Sequence, residues 1–227
     1  MATVRSAPRS ALLVGATGLV GRELLPLLLD NARYARVQVL VRPASQQLKP
    51  HPKLTVHGVD FSHLQGDLGK IDDAYIALGT TLKAAGSNAA FREVDFDYVL
   101  ASARAAKAAG AHRIAVVSAL GADPSSRVFY SRVKGETEAA IQDLGFDSVV
   151  FAQPSLLLGD RSALGQAPRS GEVWATRLLG PVMGLVPKGV RPIQARAVAQ
   201  AMVTATLTGT RGVRVLGSAD MQDVSPA

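Results

Sequence analysis

The sequence predicts an α/β fold with a doubly wound, mostly parallel sheet, and two observations predict it. Short runs rich in β-branched residues alternate with longer stretches of helical period, the pattern of stacked βαβ units. A glycine-punctuated turn, Gly15-Ala16-Thr17-Gly18-Leu19-Val20-Gly21, joins the first such run to the first helical stretch.

Taken in order, Ser10–Gly15 reads as the first strand and Leu19–Asn31 as the first helix. Pro26 should kink that helix, because its ring displaces the hydrogen bond to the Arg22 carbonyl. Arg5 and Arg9 ahead of Ala11-Leu12-Leu13-Val14 superficially resemble a signal peptide, but the apolar run breaks at Gly15 and a buried strand is the better reading. Val37–Val41 makes a second strand, Leu54–His57 a third, and Ala74–Leu78 a fourth that ends in the turn Gly79-Thr80-Thr81. A long helix spans about Asn88 to Ala109. Its signal is the recurrence of Phe91, Val94, Tyr98, Ser102 and Ala105, with Gly110 where a helix C-terminus favours a left-handed residue. Ile114–Val117 is the fifth strand, Phe129 to Leu144 a helix closed by Gly145, and Ser148–Ala152 the sixth strand. Glycine and proline punctuate residues 154–192, where the periodicity weakens. Ala195–Leu207 returns to helix, Val213–Leu216 reads as a last strand, and the tail after Gly217 is expected to fray. Neither a repeat nor a linker divides the chain, so a single domain over residues 1–227 is expected.

Composition excludes several classes of function. The chain is 48% hydrophobic and 19% charged, as globular proteins are. It has no cysteine, which removes disulfides, thiolate metal sites and cysteine nucleophiles. Its four histidines, at 51, 57, 63 and 112, lack HExxH spacing, so no metal is expected. The net charge of +7 invites a nucleic-acid reading, but the arginines are scattered and only 5% of residues are aromatic. A basic surface around an anionic cofactor fits better. No window approaches the roughly 18 apolar residues of a membrane span. The expectation is a cytoplasmic protein with a small-molecule substrate and neither nucleic acid nor membrane as partner; a homo-oligomer is compatible with the sequence.

The glycine turn sits where chemistry would use it. A strand-to-helix turn presents free N–H groups and the positive end of the helix dipole to a pyrophosphate, and glycines let phosphate approach the backbone. The spacing is GxxGxxG rather than GxGxxG, and a purely structural loop is the competing reading. Gly15, Thr17, Gly18, Leu19, Val20 and Gly21 are the candidates. At the end of the second strand, where NAD binders carry an acid for the ribose hydroxyls, stands Arg42. A guanidinium pairs with a 2′-phosphate, so NADP(H) is favoured over NAD(H); the competing reading is a solvated surface arginine.

Tyr130 and Lys134, four apart on a predicted helix, share one face. An ammonium beside a phenol favours the phenolate, which suits Tyr130 to donate or accept a proton. Lys134 would also hold the nicotinamide ribose. Ser118, at the carboxyl end of the fifth strand, would hydrogen-bond the substrate oxygen. Singly, each reads as a packing tyrosine, a surface lysine or a strand-end serine; together they form a catalytic set.

These residues, with Val59-Asp60-Phe61, Ala77 through Thr81, Val94 through Tyr98, Lys134-Gly135-Glu136 and Gln153-Pro154-Ser155, resemble the atypical short-chain dehydrogenases/reductases over roughly residues 10–205. The branch most resembled is that of the Tat-interacting-protein-like oxidoreductases. The resemblance implies a Rossmann fold with a small C-terminal substrate lobe, drawn from residues 154–208. It implies Asp60 and Phe61 beside the adenine, and Leu78, Gly79 and Thr80 along the cofactor. Pro154 and Ser155 would meet the nicotinamide end, with Arg161, Trp174 and Arg191 as substrate contacts. Two departures stand out. Asp95 occupies the stretch where many members carry an asparagine of the proton relay, and Pro43 follows Arg42 where a second basic residue is common. The implied activity is hydride transfer to or from a carbonyl or alcohol. A non-catalytic NADP(H)-binding regulator and a flavin-type reductase are the alternatives.

Overall fold

The computed structural model describes residues 8–43, 48–64, 66–159, 187 and 189–222. Seven strands form one sheet in the order β3-β2-β1-β4-β5-β6-β9, every neighbouring pair parallel. They are β1 Arg9–Val14, β2 Tyr34–Val41, β3 Leu54–Gly58, β4 Asp73–Ile76, β5 Arg113–Val117, β6 Ser148–Gln153 and β9 Gly212–Gly217. A separate two-stranded parallel ladder pairs β7, Leu157–Leu158, with β8, Ile193–Gln194. The helices are α1 Gly21–Asp30, α2 Leu82–Ala85, α3 Asn88–Arg92, α4 Val99–Ala108, α5 Phe129–Gln142, α6 Ala195–Thr208 and α7 Ser218–Gln222. A π-helical turn, Glu93–Tyr98, joins α3 to α4.

The central strands have both faces covered, and their side chains divide by parity. Ala11 and Leu13 of β1 enter one core with Leu24 and Leu28 of α1 and Val198 and Met202 of α6. Leu12 and Val14 enter the other with Val99 and Ala103 of α4 and Ile141 of α5. Helices on both faces of a parallel sheet make the predicted doubly wound architecture. The chain winds outward from β1 to β3, then returns to place β4 on the other side of β1. That reversal opens a crevice at the carboxyl ends of β1 and β4, where open α/β sheets take their ligands.

Several expectations need correction. Helix α1 starts at Gly21 rather than Leu19, and Pro26 lies inside it, in the second turn. Strand β4 stops at Ile76, so Ala77 and Leu78 already belong to the loop. The long helix holds a π turn that the periodicity did not indicate. Its extra residue shifts the buried face, so that Asp95 and Val99 turn inward while Val94 and Tyr98 are only half-buried. The tail after Gly217 does not fray as far as Gln222. It forms α7, with Met221 fully buried and the Ser218 hydroxyl accepting from Ser155 N at 2.7 Å.

Candidate active site

The turn after β1 is shaped by contacts between its own glycines and the loop after β4. Gly15 has φ +86, and a Cβ there would lie 2.6 Å from the Ala77 carbonyl carbon. A Cβ on Gly21 would lie 2.0 Å from the Gly15 oxygen. The first and third glycines therefore touch across the turn, and Gly18 N closes it by donating to Gly15 O at 3.0 Å. No side chain caps the start of α1, where Val20 holds the capping position. The turn offers a side-chain-free cradle at a helix N-terminus, lying against the loop that carries Leu78, Gly79 and Thr80. A dinucleotide pyrophosphate fits that donor set. Thr17 and Leu19 lie in the same turn, and Leu19 also packs where a Cβ on Gly159 would lie, 2.6 Å from its Cδ1.

Around the adenosine end the predicted residues have mixed duties. Arg42 is exposed at the end of β2. Asp60 is exposed and caps the short 3-10 turn Phe61–His63, accepting from Ser62 N at 2.9 Å and from the Ser62 hydroxyl at 2.6 Å. Those bonds hold its carboxyl below the usual range. Phe61 is buried, its ring stacked on Tyr98 with centroids 5.8 Å apart. The Tyr98 phenol is pushed up by desolvation and by Glu93 and Asp60, against which Arg42 acts. Arg42, Asp60 and Tyr98 are thus electrostatic neighbours at one end of the crevice.

At the other end the strands deliver the proton-transfer candidates. Ser118 follows β5 directly, tied to β6 by Ser118 N donating to Ala152 O at 2.7 Å. Its hydroxyl is buried without a hydrogen-bond partner among the described residues. Lys134 is buried on α5, with Nζ 2.6 Å from Asp95 Oδ1. Asp95 has no exposure, and its Oδ2 accepts from Thr80 N at 2.8 Å. Ser118, Lys134 and Asp95 line one cavity, about the size of a single water molecule, together with Thr137 and Glu138. Glu138 accepts from Gln153 Nε2 at 2.9 and 3.1 Å. Tyr130 lies outside that cavity, one turn before Lys134, half-buried with its ring 5.3 Å from that of Phe91.

The structure thus brings Ser118 and Lys134 together and places Tyr130 on the same helix. Pro154 is buried, its carbonyl accepting from Leu120 N at 3.0 Å. Ser155 donates its N–H to Ser218 and its hydroxyl to Arg191 O at 2.6 Å, so both its donors act inside the chain. Arg161 and Trp174 lie outside the described residues. Sequence reading did not foresee that Asp95 pairs with Lys134, nor did it include Glu138. Both are charged residues on helical stretches whose partners come from other elements, and a charged helix position reads from sequence as an exposed face far more often than a buried one. Among the described residues no cluster of histidines and acids could hold a metal ion, and no helix is long and apolar enough to cross a membrane.

Comparison with known proteins identifies the family and the fold. Residues 15–171 match the model of the NAD(P)H-binding family. The chain is 35% identical over 180 residues to protein HTATIP2 of Rattus norvegicus, covering 76% of this chain and 71% of that protein. It is 32% identical over 227 residues to the protein named fmp52, mitochondrial, of Aspergillus fumigatus, covering 92% and 95%. Among solved structures, a short chain dehydrogenase family protein from Francisella tularensis superposes with a TM-score of 0.66 at 14% identity, over 96% of this chain and 100% of that one. The Bordetella bronchiseptica enzyme WbmH in complex with NAD+ superposes with a TM-score of 0.69 at 17% identity, over 92% and 76%. At such identities the superpositions establish the fold.

Proposed function

The chain belongs to the NAD(P)H-binding family, and from that premise we propose that it is an NADPH-dependent oxidoreductase interconverting a small carbonyl compound and its alcohol. The observation that carries this reading is the buried, unpartnered Ser118 hydroxyl sharing one cavity with Lys134, one helical turn from Tyr130. A bound nicotinamide dinucleotide would supply or take up the hydride. The Gly15–Gly21 turn and the N-terminus of α1 would hold its pyrophosphate, Asp60 and Phe61 would flank the adenine, and Arg42 would pair with a 2′-phosphate. Leu78 to Thr80, Pro154 and Ser155 would border the path to the nicotinamide.

In the direction of reduction, Ser118 donates a hydrogen bond to the carbonyl oxygen as negative charge grows there. Tyr130 gives its phenolic proton to that oxygen, and the Lys134 ammonium stabilises the phenolate left behind. In oxidation the phenolate takes the proton back. The test is NADPH oxidation against a panel of aldehydes and ketones. Tyr130→Phe should lower the rate by about two to four orders of magnitude, the usual worth of a positioned acid. Equal rates in the two proteins would end the assignment, and activity toward flavin that survives the substitution would favour direct transfer to an aromatic acceptor. For cofactor choice, Arg42→Ala should weaken NADPH by roughly ten- to a hundredfold, the worth of a charged hydrogen bond, and leave NADH unchanged. The proposed compartment is the cytoplasm, although the fungal relative's name places that protein in mitochondria; fractionation of cells producing the intact chain decides it.

A further inference from the structure

The loop after β4 has little of its own to hold it in place. Residues 77–90 are all exposed or half-buried, α2 included. Ala77 and Leu78 pack against the two cores only in part. Yet the backbone of this loop lies directly against the glycine turn. A Cβ on Gly15 would stand 2.6 Å from the Ala77 oxygen and 2.7 Å from Leu78 N. Gly79 follows, exposed, and Thr80 N then donates to Asp95 Oδ2 at 2.8 Å. That bond ties the loop to the interior.

The surroundings of Asp95 suit it to receive the bond. Its carboxylate is fully buried, and Oδ1 lies 2.6 Å from Lys134 Nζ. Its carbonyl accepts from Thr137 Oγ1 at 3.0 Å, so two residues of α5 hold Asp95 while Asp95 holds the loop. The π turn aims the side chain inward, and such turns recur at functional sites. Gly79 allows the loop to come close, since a Cβ there would stand 3.1 Å from Asp95 Oδ1. Stability alone does not require the pair, because desolvation offsets much of the attraction between buried charges and apolar replacements often serve as well. Apolar side chains could not accept the Thr80 N–H.

We propose that Asp95 is a positioning residue for the dinucleotide, holding Thr80 N–H so that residues 78–80 are set against the Gly15–Gly21 turn before the cofactor arrives. The inference rests on the reading of that turn and that loop as the cofactor cradle. A loop ordered in advance loses less conformational freedom on binding, so a residue that need not touch the ligand strengthens its affinity.

Two measurements test this role. In the first, calorimetry compares NADPH binding in Asp95→Asn and Asp95→Ala, both carrying Lys134→Met. The shared substitution removes the buried cation, which would otherwise compete with Thr80 for the single amide oxygen. Only the acceptor then differs. The alanine protein should bind NADPH about two- to tenfold more weakly, the worth of one neutral hydrogen bond. Equal affinities overturn the proposal. The second measurement is amide hydrogen exchange without nucleotide, and it decides the matter should the double variants fail to fold or to bind. In the unmutated protein the Thr80 amide should exchange about ten- to a hundredfold more slowly than in an unstructured chain, as a bond to a charged acceptor implies. Exchange at the unstructured rate is fatal. In the alanine variant, faster exchange should be confined to residues 78–80. Acceleration that reaches Leu13 and Tyr75 in the sheet would make Asp95 a general support of the fold and end its special role. If the unmutated protein binds neither NADPH nor NADH, the cradle reading falls and takes the role of Asp95 with it. Tight binding that is indifferent to the acceptor removes Asp95 alone.

Discussion

Gly135 follows Lys134 in α5, and two effects of opposite sign meet there. Helix propensity favours alanine over glycine by about 1 kcal/mol. A Cβ at this position, however, would lie 2.2 Å from Pro124 N and 2.3 Å from the Asp123 carbonyl carbon. Those atoms are backbone and cannot swing aside, so overpacking of roughly 1–3 kcal/mol should win. Gly135→Ala should lower stability in urea titrations and disturb the loop between Ser118 and Tyr130, with a fall in any carbonyl-reducing rate; a more stable variant would contradict the close approach. Gly145→Ala is the contrast. It has open space around it and φ +69, so only the left-handed cost of about 1–2 kcal/mol applies. In the sequence only Gly145 was legible, as a helix stop, because its place at the end of a periodic stretch is a local signal. The contact that requires Gly135 joins segments whose meeting depends on the whole fold. Asp95 was opaque for the same reason, since a carboxylate at a half-polar helix position gives no sign of a buried cation across the packing.

Elements are tied at the amino ends of the strands by a network that sequence reading did not foresee. Tyr34 of β2 donates to Asp73 of β4 at 2.8 Å, Arg113 of β5 donates through Nε at 2.6 Å, and Arg9 of β1 stands 3.4 Å away. Desolvation pushes the Asp73 carboxyl up to about 6, outweighing the Tyr34 hydrogen bond and the Arg9 charge. An acid with a raised folded-state value binds more protons folded than unfolded between about pH 4 and pH 6, so its contribution to stability declines as pH rises through that window. The stability of the wild-type protein relative to Asp73→Asn should therefore fall by something on the order of 2 kcal/mol from pH 4 to pH 6. Urea titrations of both proteins at the two pH values measure it, and a relative gain for wild type would show the carboxylate to be favoured by its arginines. At the other end of the sheet, α7 supports the loop after β6 through Ser218 and buries Met221. Ending the chain at Gly217 should cost about 2–5 kcal/mol, as loss of a buried methionine side chain does. The truncation should also weaken NADPH binding, because Ser155 N–H loses its partner. An unaltered denaturation midpoint would restore the frayed tail. This helix escaped sequence reading because five residues carry too little periodicity to register.

The molecule as a whole was legible wherever burial imposes a long pattern. Parallel strands covered on both faces read as apolar runs, and the alternation of such runs with helical stretches fixed class and element order. The return of the chain from β3 to β4 beside β1 follows from tertiary packing, and it is what opens the crevice. One consequence concerns how a ligand acts on the whole protein. The cradle caps β1, a central strand whose side chains, like those of its neighbours, enter both cores, so occupancy should stabilise the global unfolding transition and not merely order a loop. Ligand at a hundred times its dissociation constant adds about 2.7 kcal/mol. For a domain of this size each kcal/mol raises the midpoint by about 2–4 °C, so NADPH should raise it by roughly 5–10 °C in one cooperative step. NADH at the same concentration should raise it less, since Arg42 would find no 2′-phosphate to pair with. Scanning calorimetry with each nucleotide separates the cases. An NADH shift equal to or larger than the NADPH shift would assign Arg42 to the solvated surface, and a split transition would mean that the cradle unfolds independently of the sheet beneath it.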